Sequence, residues 1–208
     1  MAKPGIVLIG AGGHATSCID VIESEDRFKI IGLVGTKSEL GRMVAGYEVI
    51  ATDGDLADLA VKHHHALVTV GQIRNAALRT RLYGEARKVG FAFPTVVSAH
   101  ARVSAHATVG EGSIVMFGAL INAGATVGAN CIINSRALIE HDACVGDNCH
   151  ISTGAIVNGH VRVGAGSFVG SGALIRHTVT IGDHCIVSMG SVVHRDLPDK
   201  TFFKKVEE

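Results

Sequence analysis

The sequence predicts an α/β unit followed by a parallel β-helix of triangular section, and three observations carry that reading. Val or Ile recurs at every sixth position from Val97 to Val193, seventeen times without a miss. A strand-like run, Ile6 to Ile9, leads into Gly10-Ala-Gly12-Gly13-His14-Ala15, the order of a strand, a glycine turn and a helix. Glycine makes up 26 of 208 residues while aromatics are only 4% and Trp is absent, which argues for a thin, regular core with glycine corners.

The amino-terminal elements follow in order. After the strand Ile6 to Ile9 and the glycine turn, a helix is expected from about Ala15 to Glu23. A strand follows over Lys29 to Val34, then a third strand over Ala66 to Val70 and a helix from about Arg74 to Val89. His63 to His65 read as a surface run before that third strand. Backbone N–H groups at a glycine turn opening a helix suit a phosphate. The same glycines also suit close packing of helix on strand. A dinucleotide site wants an acid at the end of the second strand. Here that strand ends Val34-Gly35-Thr36-Lys37 with no acid before Glu39, so a diphosphate ligand shorter than NAD is expected.

The repeat dictates the second unit. Four residues after each Val or Ile comes a small residue, as at Ala119, Ala125, Cys131, Ala137, Ala143, Cys149 and Ala155. Three residues after it, Gly or Asn recurs (Gly112, Gly118, Gly124, Asn130, Asn148, Gly154), types that tolerate positive φ at a corner. Each hexad is therefore one flat strand and one corner. Three hexads close a triangular coil, so Cys131 and Cys149, 18 residues apart, should stack in successive coils. Most repeat histidines, including His100, His106, His160 and His184, sit in the corner column and read as solvent-facing turn residues.

Composition excludes several classes. Nineteen basic against nineteen acidic residues argue against nucleic acid as partner. A 47% hydrophobic chain without a glycine period of three is neither disordered nor collagen-like. No stretch reaches the roughly 18 apolar residues of a membrane span. Five Cys without CxxC spacing and a start without a secretory core point to a reduced, cytoplasmic protein.

One stretch of the repeat carries chemistry: Asn134-Ser-Arg-Ala-Leu-Ile-Glu140-His141-Asp142, followed by His150. A histidine with a pKa near 6.5 suits removal of a proton as a tetrahedral adduct forms, and an adjacent carboxylate orients it and stabilises the imidazolium. His141 and Asp142 form such a pair at a corner, where sequence neighbours need not point apart. A lone His-Asp pair is common, so spacing by itself leaves the bland reading open.

The glycine turn, the Val68-Thr-Val-Gly71-Gln-Ile-Arg74 segment and the uninterrupted hexads resemble the hexapeptide-repeat sugar acetyltransferases of the sialic-acid O-acetyltransferase and bacillosamine and perosamine N-acetyltransferase group. The resemblance implies a Rossmann-like domain (1–93) for a nucleotide-linked sugar, a left-handed parallel β-helix (94–198) for acetyl-CoA, and a carboxy-terminal tail (199–208). It implies a homotrimer with active sites between subunits and no metal. His141 would be the general base with Asp142 its partner, and Asn134 would line the same pocket. His150, Ser171 and Met189 would meet the cofactor; Gly12, Gly13, His14 and Gly71 would meet the sugar nucleotide. The implied activity is N-acetylation of the 4-amino group of a nucleotide-linked 4-amino-4,6-dideoxy sugar for surface-glycan synthesis, with O-acetylation as the alternative.

Two departures from the family pattern stand out: Gly35 and Thr36 replace a pair of aspartates after the second strand, and the usual Gly-x-Pro-Ala near the carboxyl terminus is absent. Two other classes share parts of this pattern. A γ-type carbonic anhydrase would use His141 and His177, 36 residues apart, but the next position of that pattern is Gly182. A non-catalytic sugar-nucleotide binding module is the other.

Overall fold

The computed structural model describes residues 2–204 and divides into two compact units. The first comprises the chain up to Gly71 together with Ala77–Ala99; the second comprises Gln72–Ala76 and the chain from His100 onward. Residues 205–208 of the expected tail lie outside the described residues.

The first unit is built on β1 (Gly5–Ile9), α1 (Gly13–Glu25), β2 (Lys29–Gly35), β3 (Met43–Val44), β4 (Tyr47–Thr52), α2 (Leu56–Lys62), β5 (His65–Val68) and α3 (Ala77–Lys88). The sheet order is β3-β4-β2-β1-β5, with β1 parallel to β2 and β5, and β2 parallel to β4. That is a Rossmann-like half sheet with β1 an interior strand between β2 and β5, and the β1 residues Ile6 to Ile9 are fully buried. Three expectations need correction. The strand read as third is β5 and runs from His65 to Val68, so His65 opens it and does not precede it. The β3–β4 hairpin and α2 were not foreseen. Its turn, Ala45-Gly46, has positive φ at both residues (44° and 89°), a geometry usually announced by Asn-Gly, and Ala hides the signal.

The second unit is the β-helix. Two-residue strands recur every six residues and each pairs in parallel with the strand 18 residues on, as Leu120 with Leu138 and His150 with Phe168. Three faces result. The first carries the strands at Arg102, Leu120, Leu138, Ile156, Leu174 and Val192; the second those at Thr108, Thr126, Cys144, Arg162 and Thr180; the third those at Ile114, Ile132, His150, Phe168, Ile186 and Phe202. The hexad residues from Val115 to Val193 point inward and are buried. Each contributes about 1.5–3 kcal/mol of apolar burial. Along the corner entering the third face, Ser113, Cys131 and Ser167 use their hydroxyl or thiol as backbone partners of the next coil, for example Ser113 Oγ donating to Gly128 O at 2.7 Å. Cys149 N–H meets Cys131 Sγ at 3.4 Å, the expected stack.

Every corner from position 112 to 190 places one residue in the left-handed region, six residues apart. Gly and Asn fill most of them, but along the edge between the first and second faces the occupants after Gly124 are Asp142 (φ 58°), His160 (φ 57°) and Thr178 (φ 63°). Side chains there cost roughly 1–2 kcal/mol each in backbone energy. The hexad count stops at Val193 because the corner His194-Arg195-Asp196 is two residues short. Leu197 then bridges Ile181, and Phe202–Phe203 pairs with Ile186–Val187. The start of the expected tail thus continues the third face.

Candidate active site

The edge between the first and second faces gathers the imidazoles. The left-handed torsion at Asp142 folds its carboxylate back beside the preceding residue, so His141 Nδ1 and Asp142 Oδ2 lie 2.9 Å apart. That hydrogen bond, with His160 and His141 nearby as positive partners, holds the Asp142 carboxyl below the usual carboxylate range. Space for Asp142 comes from Gly124 one coil earlier, where a Cβ would stand 2.3 Å from Asp142 Oδ1. Glu140 secures the approach, accepting from Asn122 Nδ2 at 2.9 Å and from the His141 N–H at 3.2 Å. With Nδ1 turned to the carboxylate, His141 directs Nε2 over Gly159, where a Cβ would lie 2.7 Å from it and 3.2 Å from His177 Nδ1.

His160, expected as a bland corner residue, belongs to this cluster. Its Nε2 lies 3.8 Å from Asp142 Oδ2, and its ring stands edge-on to those of His141 and His177 at 5.3 and 5.5 Å. Ligand atoms of His141, Asp142 and His160 fall within 4.8 Å of one another, the one such group among the described residues. The signal was in the numbering: one coil beyond His141 and Asp142 are Gly159 and His160.

A second locus occupies the third face and its corner toward the first face. His150, buried, brings Nε2 to 3.0 Å from Asn134 Nδ2, while Asn134 Oδ1 accepts from Ser135 N–H at 2.7 Å. The other ring nitrogen, Nδ1, meets the backbone carbonyl of Gln72. Ser171 Oγ pairs with Ser152 Oγ at 2.9 Å, and Met189 is 74% exposed at the same corner one coil beyond Ser171.

Within one chain these loci do not converge. His141 sits at one edge of the first face; Asn134, Ser171 and Met189 sit at the other. Between them runs an apolar row of outward residues, Leu120, Leu138, Ile156, Leu174 and Val192, of which Val192 is 58% exposed. Asn134 and His141, expected in one pocket, thus lie on opposite edges of this face within the chain.

The glycine turn of the first unit splits by role. A Cβ at Gly10 would strike Val70 at 2.5 Å, so this glycine, at φ 118°, serves packing. Gly12 and Gly13 would meet nothing within 4 Å, so packing does not require them and they leave the start of α1 uncovered. No acid lies in the first turn of α1, which suits an anion at its N–H groups. A Cβ on Gly71 would stand 3.4 Å from His14 Cβ, which places both at this turn. Arg42, missed because the β3–β4 hairpin was missed, donates to Ala11 O and, at 2.7 Å, to Glu39 Oε1.

Residues 5–86 match the PglD N-terminal domain, and residues 160–195 match the bacterial transferase hexapeptide model (six repeats). Among solved structures, the acetyltransferase domain of PglB from Neisseria gonorrhoeae, in complex with acetyl coenzyme A, shares 30% identity at TM-score 0.87 over 96% of this chain and 95% of that one. A variant of perosamine N-acetyltransferase from Caulobacter crescentus, in complex with CoA and GDP-perosamine, shares 35% identity at TM-score 0.89 over 95% and 92%. WeeI from Acinetobacter baumannii, at 22% identity and TM-score 0.79, shares the fold. A search of curated proteins finds no match.

Proposed function

Because this chain belongs to the hexapeptide-repeat sugar acetyltransferases, the group of PglB and perosamine N-acetyltransferase, we propose that it transfers the acetyl group of acetyl-CoA to the 4-amino group of a nucleotide-linked 4-amino-4,6-dideoxy sugar. The observation that carries the reading is the His141–Asp142 pair beside the gap at Gly159. The neutral amine nitrogen attacks the thioester carbonyl carbon. His141 Nε2 takes the nitrogen's proton as the C–N bond forms, and Nδ1–H donates to the ionised Asp142. Collapse of the adduct breaks the C–S bond, and the imidazolium returns the proton to the departing sulfur. No acyl-enzyme is invoked: Cys144, three residues on, projects from the second face with Arg162 as its 4.0 Å neighbour, and the other described cysteines are buried.

Gly12, Gly13, His14 and Gly71 are assigned to the sugar nucleotide, whose diphosphate would rest on the α1 N–H groups. His150, Ser171 and Met189 are assigned to acetyl-CoA. A homotrimer completes the site: the apolar row on the first face separates the His141 edge from the Asn134 edge, and a second copy packed on that row would set the two edges against each other. Both this assembly and the service to surface-glycan synthesis belong to the proposal. Among the described residues no helix is long and apolar enough to cross a membrane.

The test is the release of CoA thiol from acetyl-CoA with GDP- or UDP-linked amino sugars as acceptors. His141→Ala should lower kcat/KM by roughly 10²–10⁴-fold. Retention of wild-type kcat/KM would remove His141 as the base, and a hydroxyl acceptor outperforming the amine would move the reading to O-acetylation.

A further inference from the structure

We propose that Gln72 is a positioning residue that locks His150 as the Nδ1–H tautomer and thereby turns the amide of Asn134 so that its NH₂ faces the cofactor locus. This rests on the assignment of His150 to acetyl-CoA made above. The residues form one chain of hydrogen bonds. Ser135 N–H donates to Asn134 Oδ1 (2.7 Å), Asn134 Nδ2–H donates to His150 Nε2 (3.0 Å), and His150 Nδ1–H donates to Gln72 O.

The two ends of that chain are backbone groups. A peptide N–H is a donor only and a peptide carbonyl is an acceptor only. Between such ends the direction is determined: reversing the imidazole tautomer would set Nε2–H against an N–H of Asn134 and leave the Gln72 carbonyl facing a bare ring nitrogen. Flipping Asn134 would set its NH₂ against Ser135 N–H. The orientation of ring and amide is therefore dictated by chemistry at the ends.

What holds the acceptor end in place is the Gln72 side chain. It is 2% exposed, and its Nε2 donates into a nest of three carbonyls, Asn148 O at 3.0 Å and Gly166 O and Ser167 O at 3.4 Å each. These lie on the coils at and after His150, so the loop Gln72–Ala76 is fastened to the same unit as the ring it orients. Gln72 Oε1 is buried without a hydrogen-bond partner. A buried orphan acceptor is unfavourable, and a methionine of the same length would avoid it. The glutamine is thus explained by its two donors and not by packing alone.

The experiment is a long-range ¹H–¹⁵N correlation on the histidine-labelled full chain, with His150 assigned by its loss in His150→Gln. Wild-type protein should show Nδ1 protonated and Nε2 bare. Gln72→Met and Gln72→Leu, close in size but without donors, should give mixed tautomers. They should also raise the KM for acetyl-CoA about tenfold, one hydrogen bond's worth. A wild-type spectrum with Nε2 protonated overturns the proposal, as do variants with wild-type tautomer and KM. If either variant fails to fold, the wild-type spectrum still decides. The tautomer is read without turnover, so absence of acetyl transfer by the wild-type enzyme would count against the proposed function and leave this inference to its own test.

Discussion

Gly159→Ala isolates the geometry of the proposed base. Gly159 is absent from the positive-φ residues, so its backbone accepts alanine, and the added methyl is the whole perturbation. Placed on the present backbone, that methyl lies 2.7 Å from His141 Nε2, 2.8 Å from its Cε1 and 3.2 Å from His177 Nδ1. Ordinary contact begins near 3.4 Å, so the His141 ring must retreat by about 0.7 Å or swing off its 2.9 Å bond to Asp142. A misplacement approaching 1 Å costs on the order of 10²-fold in rate. Folding stability should not suffer, since the His141 side chain is 53% exposed and free to move, and Gly→Ala at a compatible position stabilises by about 0.4–1 kcal/mol. The expected signature is therefore a kcat/KM for the amine reduced 30- to 100-fold, on the order of that estimate, with Tm unchanged or raised. Gly84→Ala, a helical site where a Cβ meets nothing within 4 Å, serves as the control with full activity. Wild-type kcat/KM in Gly159→Ala would refute the claim that proton transfer runs through Nε2 over Gly159.

Three further outcomes are expected. A ¹³C titration of Asp142 should give a midpoint below the ordinary value of about 3.9. Its folded-state pKa is depressed, so the stabilisation that the His141 hydrogen bond gives the carboxylate is fully present above the ordinary carboxylate range and is lost as pH falls through the lowered value; a midpoint at or above 3.9 contradicts the pairing with His141. Cys144→Ser should keep kcat within about twofold, in line with a surface substitution, and mass spectrometry during turnover should find no acetylated cysteine. Activity lost in Cys144→Ser with an acetyl adduct on the wild type would establish a covalent route. Finally, His141→Ala and Asn134→Ala chains, each impaired alone, should regain activity when co-expressed, because a mixed trimer contains an interface with both edges intact. No recovery in mixed trimers would mean that the two edges do not share a site.

Much of this was legible in the residues. The period of six specifies strand, corner and inward residue, and the fold follows it from Val97 to Val193. The His141–Asp142 pair was legible as well, since a corner is where neighbouring side chains can turn together, and its 2.9 Å contact agrees. His160 was passed over because its column is solvent-facing elsewhere, as at His184. What distinguishes it is only the residue stacked beneath it. Arg42 escaped for another reason: the hairpin that carries it to Ala11 turns on Ala45 at φ 44°, a conformation alanine does not advertise. Gln72 gave no sign of its role, because its carbonyl meets a ring 78 positions away.

By itself, then, the sequence determined the architecture: in a β-helix each residue's environment depends on its position within the hexad, so a one-dimensional pattern suffices. Tertiary structure alone decided which corners become chemistry. The stacking of coils brought Gly124, Asp142 and His160 into one column and left Gly159 as the gap above His141 Nε2. It also put the His141 edge and the Asn134 edge on opposite sides of an apolar face. Those relations depend on left-handed torsions and on contacts between coils and between a loop and a coil. They are energies of packing and hydrogen-bond direction, which no local period encodes.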